Sequence, residues 1–125
     1  MPQLLYISNL GISIYIDIRL ADGTHKYEGR VEVLYQGKWG TICDDHFDMF
    51  DAQVACKMIA KQSNDKMIVK ALKKFGEGSG KIWLDDLRCT GDEDTLFDCT
   101  HPGIGVENCA HSEDVGVVCK GKRDT

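Results

Sequence analysis

The sequence predicts an α+β domain: a small curved antiparallel β-sheet cradling one main α-helix, stapled by three disulfides. Three observations carry this. Six cysteines in 125 residues, with no tight C-x-x-C pair, read as a disulfide framework of an oxidising compartment rather than a cytosolic metal site. Several short segments alternate apolar and polar residues, the period of a half-buried strand. A single segment carries helical spacing. The 42% hydrophobic composition is enough for one modest core, so a single domain is expected.

The elements follow in order. IYIDIRL (14–20) alternates as a strand, and ADGTHKYEG is a turn-rich connection. RVEVLYQGKWGTIC reads as a hairpin with Val31, Val33 and Tyr35 on one face, turning at Gln36-Gly37 or Gly37-Lys38. DMFDAQVACKMIAK reads as the helix, with Phe50, Val54 and Met58 on one face and Ile59 beside them. Asp48 suits its N-cap and Asp51 its first turn. MIVKAL (67–72) is a strand, GEGSG (76–80) a loop, and KIWLDDLRC leads from a further strand. T-G-D-E (90–93) resembles a capping box opening one helical turn, TLFDC, and VGVVC (115–119) is a terminal strand. Cys89, Cys99, Cys109 and Cys119 are evenly spaced, but the segments between them share nothing that could stack as a repeat.

Several function classes are excluded. The net charge of −5 gives no global drive toward nucleic acid or anionic membrane. LLYISNLGISIYI (4–16) is interrupted and too short to span a bilayer, which needs about 20 apolar residues. GEGSGK has Phe75 where a P-loop needs its first Gly and Ile82 where it needs Ser or Thr. No nucleophile elbow occurs, and with every cysteine paired no thiol is left for catalysis. The reading is non-enzymatic.

GRVEVLYQGKWGTICDD, DAQVAC, IWLDDLRCTGDEDTLFDC and CAHSEDVGVVC, in this order, resemble a scavenger receptor cysteine-rich domain over residues 18–120. Residues 1–17 then form an N-terminal extension or linker and 121–125 a tail. The extra cysteine pair of the family's eight-cysteine group would fall at Tyr27 and Lys61, so the chain resembles the six-cysteine group A. The resemblance implies the pairings Cys43–Cys109, Cys56–Cys119 and Cys89–Cys99. Phe47 and Ile104 stand where the family usually has Trp, and the helix runs on as CKMIAKQSNDK where the family has a Leu-Gly segment.

TICDDHFDMFDAQVAC poses an electrostatic question, since clustered acids repel one another and resist burial. It is no EF-hand, because His46 and Met49 occupy positions that such a loop gives to an oxygen ligand and to Gly. The resemblance implies a divalent cation, Ca²⁺ or alternatively Mg²⁺, at Asp44, Asp45 and Glu113, which the Cys43–Cys109 pairing would bring together. It also suggests a second position at Asp48, Asp85 and Asn108, with Asp51 nearby. His101 and His111 fit no zinc module and are expected at the surface.

Lys57, Lys61, Lys66, Lys70, Lys73 and Lys74 cluster in one segment, with Arg88 nearby, while the acids concentrate elsewhere. This suggests a face for polyanions such as bacterial surfaces, sulfated glycans or modified lipoprotein. Together with the resemblance it predicts an extracellular or cell-surface recognition module, calcium-assisted. The alternative is an accessory protein-interaction domain of a larger secreted or membrane protein, such as a lysyl oxidase-like enzyme, which would bind extracellular proteins. Specific nucleic-acid recognition and membrane insertion are not expected.

Overall fold

A computed structural model describes residues 4–7, 11, 13–62 and 66–121. The described residues form one sheet of seven strands: β1 (Leu4–Ile7), β2 (Ser13–Ala21), β3 (Glu28–Tyr35), β4 (Lys38–Ile42), β5 (Met67–Lys73), β6 (Lys81–Leu84) and β7 (Gly116–Gly121). The path β1-β2-β3-β4-β6 is joined by β7, which pairs with β3 and β5. Every pair is antiparallel except β4–β6, which is parallel and so departs from the expected all-antiparallel sheet. The sheet curls around one helix, α1 (Met49–Gln62). Part of the proposed extension, residues 1–3, 8–10 and 12, lies outside the described residues, as do helix-continuation residues 63–65 and tail residues 122–125. Within that extension, Leu4–Ile7 pairs with the start of β2.

The β3–β4 hairpin turns on Gln36 and Gly37, both at positive φ (52° and 76°), the two-residue turn whose twist matches that of the strands. Its inner side chains reach the core: Val31 and Val33 are fully buried, and Tyr35 stacks on Phe97 with centroids 5.4 Å apart.

The helix face is shifted from the expected one. Val54 and Met58 are fully buried, but Phe50 is 60% exposed. The buried row runs instead through Asp51, Val54, Ala55 and Met58, so a carboxylate leads the inward face. Asp51 Oδ1 accepts the Cys89 N–H at 2.7 Å and Oδ2 accepts the Asp48 N–H at 2.8 Å. Asp48 Oδ1 in turn accepts the Phe50 and Asp51 N–H groups, so Asp48 caps the helix as expected.

Thr90–Glu93 does not open a helical turn. Glu93 takes the Thr90 N–H at 2.9 Å and the Gly91 N–H at 3.1 Å, which ties a loop; the 3₁₀ turn Leu96–Asp98 begins after Thr95. Phe47 is buried in the core and Ile104 packs against it, so both aromatic-to-smaller departures are absorbed by packing.

The disulfides are Cys43–Cys109, Cys56–Cys119 and Cys89–Cys99. Those closing the separations of 66 and 63 residues each contribute about 4 kcal/mol in the chain-entropy model. That is comparable to the whole stability of a domain this size.

Candidate functional site

The acidic site is assembled where the end of β4 meets the chain just before β7. Val115 N–H bonds Ile42 O at 2.9 Å, and Asp44 N–H bonds Glu113 O at 2.8 Å. Backbone pairing and the Cys43–Cys109 bond therefore hold residues distant in sequence side by side. One carboxylate oxygen each from Asp44, Asp45 and Glu113 lie within 4.8 Å of one another, together with Cys43 Sγ. A second group joins Asp45 and Asp85 beside the Cys43 and Cys109 sulfurs. Disulfide sulfurs have no proton to donate and no thiolate to offer, so the ligating atoms are all carboxylate oxygens. That donor set suits a hard cation such as calcium rather than zinc.

The electrostatics agree with an incompletely neutralised cluster. Partial burial, then repulsion from Glu113, Asp85, Asp44 and Asp86, raises the Asp45 carboxyl above its ordinary range. Burial chiefly raises Asp85 as well, against N–H bonds from Asn108 and Asp86. Among the described residues a lysine enters the cluster: Lys74 Nζ lies 2.9 Å from Asp44 Oδ2 and 3.0 Å from Ser112 O. In the sequence Lys74 is one lysine of the basic stripe, because its contact with Asp44 depends on β5 ending next to the 111–115 segment.

The second predicted position is only partly gathered. Asp85 is buried and its Oδ2 accepts the Asn108 N–H at 3.3 Å, which brings those two residues together. Asp48 is absent from every acidic group within ligand distance among the described residues and is engaged at the helix N-cap. Asp85 instead joins Asp45.

The lysines of the predicted stripe lie on α1, just before β5, on β5 itself and, for Lys74, just beyond it. Lys57, Lys61 and Lys66 border a groove of about 270 Å³ floored by Ala60, Met67 and Ile68. Lys57 bonds Asp92 O at 3.0 Å and Lys61 lies 3.4 Å from Asp94. Lys70 and Lys73 lie on β5, Lys73 with its ammonium 5.4 Å from the Phe75 ring. Arg88 lines a separate cavity with His46, Asp86, Thr100, His101 and Pro102.

The histidines expected at the surface are half-buried. His101 Nε2 lies 3.3 Å from Phe97 O. His111 bridges Asp114 Oδ2 at 2.9 Å and Gly80 O at 3.0 Å. Asp114, unremarked in the sequence, is buried and also accepts the Gly78 N–H at 2.7 Å.

A curled sheet around one helix, three disulfides and no free cysteine among the described residues define a disulfide-stapled module of extracellular type. The family model for the scavenger receptor cysteine-rich domain matches residues 21–120, and the chain belongs to that family. It is 51% identical over 106 residues to a scavenger receptor cysteine-rich domain superfamily protein of Patiria pectinifera, covering 85% of this chain and 9% of that protein. It is 50% identical over 109 residues to human lysyl oxidase homolog 2, covering 86% of this chain and 14% of the relative. The chain thus spans a small fraction of these relatives' length. Among solved structures, the third SRCR domain of murine neurotrypsin matches with a TM-score of 0.69 at 47% identity, covering 83% of this chain and 95% of that one. The SRCR domain of mouse MARCO in its dimeric form matches at 0.63 and 42% identity, covering 82% and 93%. Domains of this family are non-catalytic recognition modules of extracellular proteins. Among the described residues no helix is long and apolar enough to cross a membrane.

Proposed function

We propose that the domain recognises polyanionic microbial or host ligands through a calcium ion held by Asp44, Asp45 and Glu113. The observation that carries this reading is the convergence of three carboxylates from two distant segments, with burial and then like-charge repulsion raising Asp45. Calcium removes that repulsion and leaves coordination positions open for a ligand phosphate, sulfate or carboxylate. A domain of net charge −5 can then bind anions. The lysines of α1 and β5 would add a weaker, salt-dependent contribution.

Thermal unfolding with calcium and with chelator tests the cation. A dissociation constant of ~0.1 mM, in the range of extracellular calcium modules, stabilises by about 1.4 kcal/mol at about 1 mM calcium. The midpoint then rises by roughly 5 °C. No shift sinks the site. Capture on sulfated beads with and without chelator tests the ligand class: chelator-resistant, salt-sensitive capture would mean that lysines act alone.

A second reading is favoured by the 50% identity to human lysyl oxidase homolog 2. There the module would be an accessory domain of a larger secreted protein, contacting extracellular proteins and positioning its parent. Retention by extracellular matrix proteins but not by sulfated beads would select it.

A further inference from the structure

We propose that Lys74 is a tethered competitor for the cation site: its ammonium occupies Asp44 until calcium displaces it, and it thereby sets the calcium affinity of the domain. The inference rests on the calcium reading above and adds to it the residue that opposes the ion.

The geometry is that of an internal cation in a site built for an external one. Lys74 Nζ sits 2.9 Å from Asp44 Oδ2 and takes Ser112 O at 3.0 Å as a second acceptor. A single ammonium pairs with one of the three carboxylates and leaves Asp45 and Glu113, grouped with it within 4.8 Å, without that partner. A divalent ion that reaches all three does better, but it must first lift the lysine from Asp44.

The surroundings allow that exchange. The chain beyond Lys74 is clamped: Arg30 Nη1 donates to Gly76 O at 3.3 Å, Gly78 N–H bonds Asp114 at 2.7 Å, and His111 holds Gly80 O. The backbone therefore stays in place while the side chain, 57% exposed on a flexible four-carbon stem, swings into water. Lys73 beside it is turned to the Phe75 ring and does not share the role. Once displaced, the Lys74 ammonium is released beside the site, so calcium loading adds a mobile positive charge where an anion would meet the ion. By linkage, a polyanion that engages the freed lysine tightens calcium binding by the same factor.

Calorimetric titration with calcium on the intact domain, comparing wild type, Lys74→Met and Lys73→Met, tests this. Lys74→Met is expected to bind calcium about 3- to 10-fold more tightly, an ion pair's competition and a nearby repulsion both being removed. Lys73→Met makes the same net charge change and is expected to differ from wild type by less than about twofold. The Lys74 ε-carbon NMR signal of the wild type moves toward solvent-exposed lysine values as calcium is added. Lys74→Met affinity equal to or weaker than that of Lys73→Met overturns the proposal while leaving the calcium site intact. No binding by any of the three overturns the calcium reading itself, and this inference with it. Matching unfolding midpoints without calcium exclude misfolding as the cause of any difference.

Discussion

Two acidic pairs lie a few residues apart in TICDDHFDMFDAQVAC, and the fold treats them in opposite ways. Asp48 and Asp51 each take backbone N–H groups, from Phe50 and Asp51 in one case and from Asp48 and Cys89 in the other. Asp44 and Asp45 face other carboxylates, with one lysine ammonium between Asp44 and the solvent. Like residues of like charge thus serve two ends. One pair supplies acceptors that the helix start would otherwise lack; the other stores repulsion that a bound cation can relieve. Hydrogen-bond saturation, rather than acidity, separates the structural aspartates from those proposed to hold a cation.

Breaking the first pair should cost the most stability. Asp51→Ala leaves the Asp48 N–H and the buried Cys89 N–H without their acceptor and is expected to destabilise by about 2–4 kcal/mol in urea unfolding, with the calcium response intact. Acidity sharpens the same point. Burial pushes the Asp51 carboxyl up to about 6 from 3.8, so the folded chain binds its proton more tightly than the unfolded chain does. Its stabilising contribution is therefore complete below the unfolded value and is lost as pH rises through about 6. The urea midpoint difference between about pH 5 and about pH 7 should shrink in Asp51→Asn; an unchanged difference would assign that pH dependence to other groups. Asp48→Ala removes the N-cap and is expected to cost about 1 kcal/mol. If it also lowers the number of calcium ions bound per chain, Asp48 belongs to a second cation position after all. Asp45→Asn stands at the other extreme. Its unfolding midpoint without calcium should be unchanged or slightly raised, because repulsion is relieved, whereas calcium affinity should fall at least about tenfold. Loss of stability in Asp45→Asn with calcium affinity retained would reverse the contrast.

Much of this contrast could be read from the chain. The family resemblance carried by the cysteine-containing segments implies the three disulfides and, through Cys43–Cys109, the meeting of Asp44 and Asp45 with Glu113, whereas the spacing of six cysteines alone leaves the pairing open. The Asp48 cap follows from local chemistry alone. What escaped the reading has one cause: it depends on contacts between distant segments. Phe50 fits a helical apolar row, but the inward row begins with Asp51 because Cys89 offers it an N–H from across the domain. Thr90 and Glu93 look like a helix start because that motif and a tied loop share the same side-chain bond. Lys74 reads as one lysine among six until the β5–β7 pairing places it against Asp44. Parallel pairing of β4 with β6 leaves no local sign, since both strands are short and flanked by loops.

The Cys43–Cys109 bond has a consequence for how the protein matures. On the calcium reading, the ion's ligands flank the two ends of a 66-residue span that includes the helix, β5 and β6. A newly made chain whose Cys43 is still reduced, or is joined to another cysteine, carries the same acids but lacks the covalent link between their two segments, leaving only the backbone pairing to hold them together. Calcium sensitivity is then acquired late, when oxidation is complete and correct, and its appearance marks a chain that has left its misbridged forms behind.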